Sequence, residues 1–183
     1  MKFTRNVFVA SCLVTMLMLS ACGGGTAGNL NSNTTTTSSA AECPFGDYKS
    51  AVVSEVNAIR SKPQVCGGVA YPAVGALGWN GQLESAATAH SADMVVNNFF
   101  AHPGSDGSRI GARASAAGYA YSKVGENIAA GQSSAAQVSR DWLASASHCS
   151  NIMTASFVDM GVSCKHSPNS TYEYYWTLVM GNR

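Results

Sequence analysis

Two histidines and a glutamate, each set in a short distinctive motif, are the side chains here whose types could do chemistry. His102 ends the run Asn98-Phe99-Phe100-Ala101-His102, and Glu126 sits in Gly125-Glu126-Asn127-Ile128. His148 follows Trp142 and opens His148-Cys149-Ser150-Asn151-Ile152-Met153. Two neutral imidazoles and one carboxylate are the minimum of an open zinc site, with water completing the tetrahedron. The same three groups could instead form a hydrogen-bonded polar cluster. If Glu126 hydrogen-bonds one histidine, it orients that ring and leaves only two protein ligands, which would hold a metal weakly. Spacing alone does not show that the three meet in space.

Other reactive residue types carry blander readings. His90 lies on the apolar stripe of a helical segment beside Met94, which suits a helix-packing histidine better than a ligand. His166 stands in a polar loop without a motif. Glu84 belongs to the first turn of a helix, where the macrodipole favours an acid. Cys149 beside His148 could suggest thiol catalysis, but cysteines in an oxidising compartment are more often bridged than nucleophilic. Ser147 next to His148 is adjacency in sequence, which does not align a hydroxyl with an imidazole. The glycines Gly23-Gly24-Gly25 lack the lysine and strand–helix context of a phosphate loop.

The N-terminus gives an address. Lys2 and Arg5 precede a mostly apolar run from Val7 to Leu19, and Leu19-Ser20-Ala21-Cys22 has the form of a lipobox. Residues 1–21 therefore read as a lipoprotein signal peptide, too short for a comfortable membrane span. Acyl chains on Cys22 would anchor the mature chain to the membrane stably. Gly23 provides no acidic retention signal, so the expected destination is the outer membrane of a bacterial cell envelope. Residues 22–42 comprise that cysteine and a Gly, Ser, Thr, Asn and Ala stretch too poor in apolar surface to fold, hence a flexible tether.

Residues 43–183 remain, enough for one domain with a real core. Setting Lys2 and Arg5 aside leaves nine basic residues against ten acidic ones. No basic stripe is present, so nucleic acid is not an expected partner. Besides Cys12 in the signal and Cys22, four cysteines remain: Cys43, Cys66, Cys149 and Cys164. They allow three pairings, and no Cys-x-x-Cys pair suggests a zinc site instead. Because Cys43 and Cys66 bracket the first helix and Cys149 and Cys164 flank one loop-and-strand segment, those are the expected bridges.

Asp47 caps a predicted helix to about Ser61, and Trp79-Asn80 leads into a second, to about Asn98. Ser108 to Ala117 and Ala135 to Ser145 give two more. Phe157 to Cys164 alternates like a strand, and Tyr172 to Met180 is rich in β-formers. Helices first and a sheet late imply an α+β fold rather than a doubly wound one.

Taken together the motifs resemble the CAP superfamily, which groups cysteine-rich secretory proteins, insect venom antigens, plant pathogenesis-related proteins and bacterial envelope proteins. The likeness runs from Val56-Asn57-Ala58-Ile59-Arg60 and Leu77-Gly78-Trp79-Asn80 through the three motifs above to Tyr174-Tyr175-Trp176-Thr177. It implies a three-layer α-β-α sandwich with a mainly antiparallel central sheet. It also implies a cleft lined by two histidines and two acids, the histidines able to bind zinc or another divalent ion. Carried over by motif, these are His102, His148 and Glu126. Ser145 occupies the second acid's position, and Asp141, about 100° away round the helix, does not replace it. Two functions follow from this reading. One is an envelope binding protein, taking a metal, lipid, peptide or wall-related ligand in the cleft. The other is a metal-assisted hydrolase with Glu126 as general base. The incomplete acid set favours binding.

Overall fold

The computed structural model describes residues 40–183; the expected signal peptide, Cys22 and all but the end of the expected tether lie outside the described residues. A sheet of four strands in the order β1-β6-β7-β5 organises the domain, with the short β4 added beside β6. The strands are β1 (Ala41–Glu42), β4 (Gly78–Trp79), β5 (Lys123–Ala130), β6 (Asp159–His166) and β7 (Tyr174–Asn182). A hairpin of β2 (Gln64–Cys66) and β3 (Val69–Tyr71) stands apart. All pairings are antiparallel except β4 with β6.

Side-chain alternation along β7 shows how the helices are divided between the two faces. Trp176, Leu178 and Met180 join the larger core with residues of α1 (Tyr48–Arg60), α4 (Ala135–Ala144) and α5 (Ala146–Ile152). Tyr175 and Val179, with the opposite parity, pack with α2 (Gly81–Val96) and α3 (Ile110–Ala116). A strand's side chains point to opposite faces in turn, so the helices cover both faces, as the expected α-β-α sandwich requires. Trp142 and Trp176, both essentially buried, anchor the larger core.

Local signals in the sequence place the helices. Asp47 accepts from Ser50 N at the start of α1, and Asn80 accepts from Gln82 N and Leu83 N at the start of α2. Gly161 lets α2 lie directly on β6, since a Cβ there would come within 2.1 Å of Glu84 N.

Two expectations are corrected. The tether was expected to run to residue 42, but Ala41 and Glu42 pair with His166 and Lys165 as an edge strand. Glu42 holds that strand through Lys165 and Lys49. The disulfides are Cys43–Cys164 and Cys66–Cys149, not Cys43–Cys66 and Cys149–Cys164. The reason is long-range pairing, which sets together cysteines that are far apart in the chain. Cys43 follows β1, where its N–H donates to Cys164 O and the Cα atoms are 5.4 Å apart. Cys66 ends β2 against α5, 5.5 Å from Cys149.

Candidate functional site

Glu126, in a segment not predicted as a strand, lies in the middle of β5. Its parity is that of its partner Val179, which sends its side chain to the α2–α3 face. There it is 2% exposed and fully engaged: Oε1 accepts from His102 Nδ1 at 2.8 Å and Oε2 from Arg113 Nη2 at 2.7 Å. His90 Nε2 lies 3.9 Å from Oε1. Burial pushes the carboxyl up, but the hydrogen bonds and charges around it outweigh burial and hold it below its ordinary range. Glu126 is thus an ionised, internally satisfied carboxylate.

His102 is carried by the loop between α2 and α3, and that loop is clamped from both helices. Arg113 Nη2 donates to His102 O at 3.0 Å and Nη1 to Ser108 O at 2.7 Å. His90 Nε2 donates to Ala101 O at 3.0 Å. Asp93 accepts from both Ser105 N, at 2.8 Å, and Ser105 Oγ, at 2.6 Å. An ionised Glu126 can only accept, so His102 Nδ1 is the donor, and in the neutral ring that tautomer leaves the lone pair on Nε2. The His102 side chain is 51% exposed.

His148 was expected just beyond a helix and is found within one, the short α5. Asn127, one residue after Glu126 and pointing to the opposite face, ties that helix to β5. Its Nδ2 donates to His148 O at 3.1 Å, and its Oδ1 accepts from Asn151 Nδ2 at 2.9 Å. Gly125 makes the approach possible, because a Cβ there would meet Asn151 Oδ1 at 2.4 Å. The motif Gly125-Glu126-Asn127 therefore has one job per residue: close approach of α5, a grip on the α2–α3 side, and a grip on α5. Burial first, and then the charge of His102, keep His148 below its ordinary value and neutral.

His102, Glu126 and His148 line one cavity of about 470 Å³ with Lys123, Asn127 and Asn151. Ser145, at the missing acid's position, and Asp141 line a neighbouring cavity of about 270 Å³ that also touches His148. Asp141 accepts from Gln132 Nε2 at 2.9 Å and does not enter the main cleft's lining.

Two members of the cluster were not read as site residues. His90 was expected to be a packing histidine and is fully buried, but it also positions the loop of His102. Arg113 was not singled out. Its signal was its place on the buried stripe, three residues after Ile110 and beside Ala114, where a cation demands a buried anion.

These residues fit a metal only in part. His102 Nε2 and a neutral His148 suit a divalent cation such as zinc, and a carboxylate on the far ring nitrogen is the usual orienting partner of a metal-bound histidine. Glu126 is no ready third ligand, being 2% exposed with each oxygen already hydrogen-bonded. Among the described residues no group of three or more His, Cys, Asp or Glu side chains is arranged to hold an ion. The cleft offers two imidazoles, not a closed or three-ligand centre.

Fold and cleft together define a CAP-type domain. The family model of the cysteine-rich secretory protein (CAP) family matches residues 53–180, more than half of the chain, and the chain belongs to that family. A comparison with curated proteins finds no sequence match. Among solved structures, the chain is similar to an extracellular SCP-domain protein of Bacillus anthracis, with TM-score 0.61 and 26% identity over 74% of this chain and 40% of that one. It thus spans well under half the length of that protein. An outer surface protein of Borrelia burgdorferi has the same fold, with TM-score 0.62 and 18% identity over 73% of this chain and 91% of that one. A cysteine-rich secretory protein of Staphylococcus aureus does also, at TM-score 0.52 and 12% identity over 75% and 40%.

Proposed function

We propose that this chain is a cell-envelope lipoprotein whose CAP domain binds a ligand in the His102–His148 cleft without catalysing a reaction on it. The observation that carries this reading is the state of Glu126. A general base needs a free lone pair aimed at substrate and a pKa near the working pH. Glu126 is 2% exposed, already carries a hydrogen bond on each oxygen at 2.7 and 2.8 Å, and has a carboxyl held below its ordinary range. It acts as the post on which His102 and Arg113 are set, which leaves the metal-assisted hydrolase reading without its base. A divalent cation such as zinc would be a weakly held guest of His102 Nε2 and His148.

The envelope address rests on the lipobox ending at Cys22 and agrees with the extracellular and outer-surface descriptions of the Bacillus and Borrelia proteins. Among the described residues no helix is long and apolar enough to cross a membrane. On the lipobox, membrane attachment is assigned to an acylated Cys22, and the cleft to a lipid, peptide or wall-related partner in the envelope.

The test is a zinc titration followed by imidazole NMR, paired with hydrolysis of chromogenic ester and peptide substrates. Zinc should perturb His102 and His148 together and weakly, and hydrolysis should equal that of His102→Ala. Zinc-dependent turnover that disappears in Glu126→Gln while zinc binding persists would overturn the binding reading.

A further inference from the structure

Among the described residues β5 ends the sheet, and one of its edges faces no strand. Its hydrogen-bond phase identifies what that edge presents. In an antiparallel ladder both main-chain groups of a residue face the same neighbour, and the side alternates along the strand. Gly131 N donates to Tyr174 O at 2.9 Å, so the odd-numbered residues of β5 face β7. Trp142 Nε1 reaches Ile128 O from the other side at 3.3 Å, in agreement. The N–H and C=O groups of Val124, Glu126, Ile128 and Ala130 therefore point outward. The Trp142 indole takes only the carbonyl of Ile128. Among the described residues no side chain hydrogen-bonds the main chain of Val124 or Glu126. The Glu126 side chain is 2% exposed while the residue as a whole is 9% exposed, so what solvent it meets lies largely on its main chain.

Both cavities of the cleft lie along this edge, and His148 lines both. One runs beside Gly125, Glu126 and Asn127, the other beside Ile128, Ala129 and Ala130. Edge strands are usually blunted by bulges, proline or cover, because they template pairing with another main chain. Here the strand holds no proline, and two cavities open beside it. Donors and acceptors spaced at the strand repeat match another polypeptide backbone, whereas an acyl chain has no group to offer them.

Charge narrows the occupant. Glu126 is neutralised inside the protein by Arg113 and His102. Lys123 lines the main cavity and makes no ion pair among the described residues, and His102 and His148 bring ring nitrogens to the same wall. The main cavity thus offers cationic and imidazole groups without a free anion, and the one carboxylate of the neighbouring cavity, Asp141, accepts from Gln132 Nε2. We propose that the cleft receives an extended peptide segment, added as a strand to the free edge of β5, with an acidic side chain set against Lys123 and the two histidines. This deepens, and rests on, the ligand-binding reading of the cleft.

The probe is a pool of acetylated, amidated octapeptides of randomised sequence with one fixed glutamate, titrated into the mature domain and followed by amide NMR. In the free domain the amides of Val124, Glu126 and Ile128 should exchange faster than those of Gly125 and Asn127. Bound peptide should slow and shift the outward set. N-methylating alternate residues of the tightest peptide should weaken binding at every second position only, which side-chain recognition alone would not produce. Val124→Pro removes one outward N–H at an edge position where proline is tolerated, and should weaken binding about tenfold, the equivalent of one lost hydrogen bond. Val124→Thr should bind normally. Equal exchange of the two amide sets in the free domain, uniform sensitivity to N-methylation, or no peptide binding while zinc still perturbs His102 and His148 would each overturn the strand-addition proposal and leave the cleft reading intact. Loss of both responses would overturn the cleft reading itself.

Discussion

Arg113 Nη2 meets Glu126 Oε2 at 2.7 Å with the two side chains 7% and 2% exposed, so a helix and an edge strand are joined by a buried ion pair. The same guanidinium holds His102 O and Ser108 O, and the same carboxylate holds the His102 ring. One pair of charges thus fixes the backbone and the side chain of the exposed histidine together. This explains how a half-exposed imidazole on a loop keeps a defined orientation.

Arg113→Met should be strongly destabilising. It leaves a buried carboxylate with only His102 as a close partner and frees two carbonyls of the loop, and breaking one side of a buried pair typically costs about 3–5 kcal/mol. Urea denaturation reads the loss. The double variant Arg113→Met with Glu126→Leu should recover part of it, because no buried charge is then stranded. A single-variant loss below about 1 kcal/mol would show that the pair is not desolvated as the structure has it.

Most of this fold was legible because its elements announce themselves locally. Asp47 and Asn80 cap helices, and the alternation around Trp176 marks a strand. The histidines and Glu126 were legible through their motifs. What stayed hidden is long-range. β5 reads as a turn because Gly125 interrupts its pattern, yet that glycine serves α5 packing rather than a bend. Arg113 was missed because a buried cation makes sense only once its anion is known. The bridges were misassigned for a related reason: sequence order suggests neighbours, while β1–β6 pairing and hairpin–α5 packing decide them.

Peptide mapping under non-reducing conditions should recover Cys43–Cys164 and Cys66–Cys149 with no free thiol among the four. The bridges close segments separated by 121 and 83 residues, and loops of that size stabilise by about 4–5 kcal/mol on chain-entropy grounds. Replacing Cys66 and Cys149 together with Ser should lower stability by an amount of that order and loosen α5, seen as faster exchange around His148. A Cys43–Cys66 linked peptide would refute the pairing.

Cys22→Ser should leave the chain unprocessed or soluble. A lipobox requires the thiol both for acylation and for the cut that follows it. Fractionation and detergent partitioning of wild type and variant provide the readout. Unchanged processing and partitioning would remove the lipid anchor from the proposed function.

Stability should fall in two stages as pH drops. His90 is held below its ordinary value of 6.5 chiefly by burial, with the Glu126 charge acting against that and the Arg113 charge with it. His148 is likewise depressed. For such a group the unfolded chain takes up a proton first, so the native state is fully favoured above pH 6.5 and loses ground as pH falls below it. Glu126 is depressed below its ordinary 4.5, so its contribution is complete above that pH and fades as acid protonates the folded carboxylate. The surface acids Asp93 and Asp106 join that second stage, both being lowered, Asp93 by bonds from Ser105 that outweigh burial and Asp106 by bonds from Ser108. Urea midpoints measured from pH 8 to pH 3 should therefore decline first near neutrality and again below about pH 4.5. His90→Gln keeps a donor for Ala101 O but cannot titrate, so it should reduce the first decline to the share of His148 and leave the second in place. Midpoints that hold level between pH 8 and pH 5.5, or a first decline unaltered in His90→Gln, would mean that the buried imidazole does not titrate against folding.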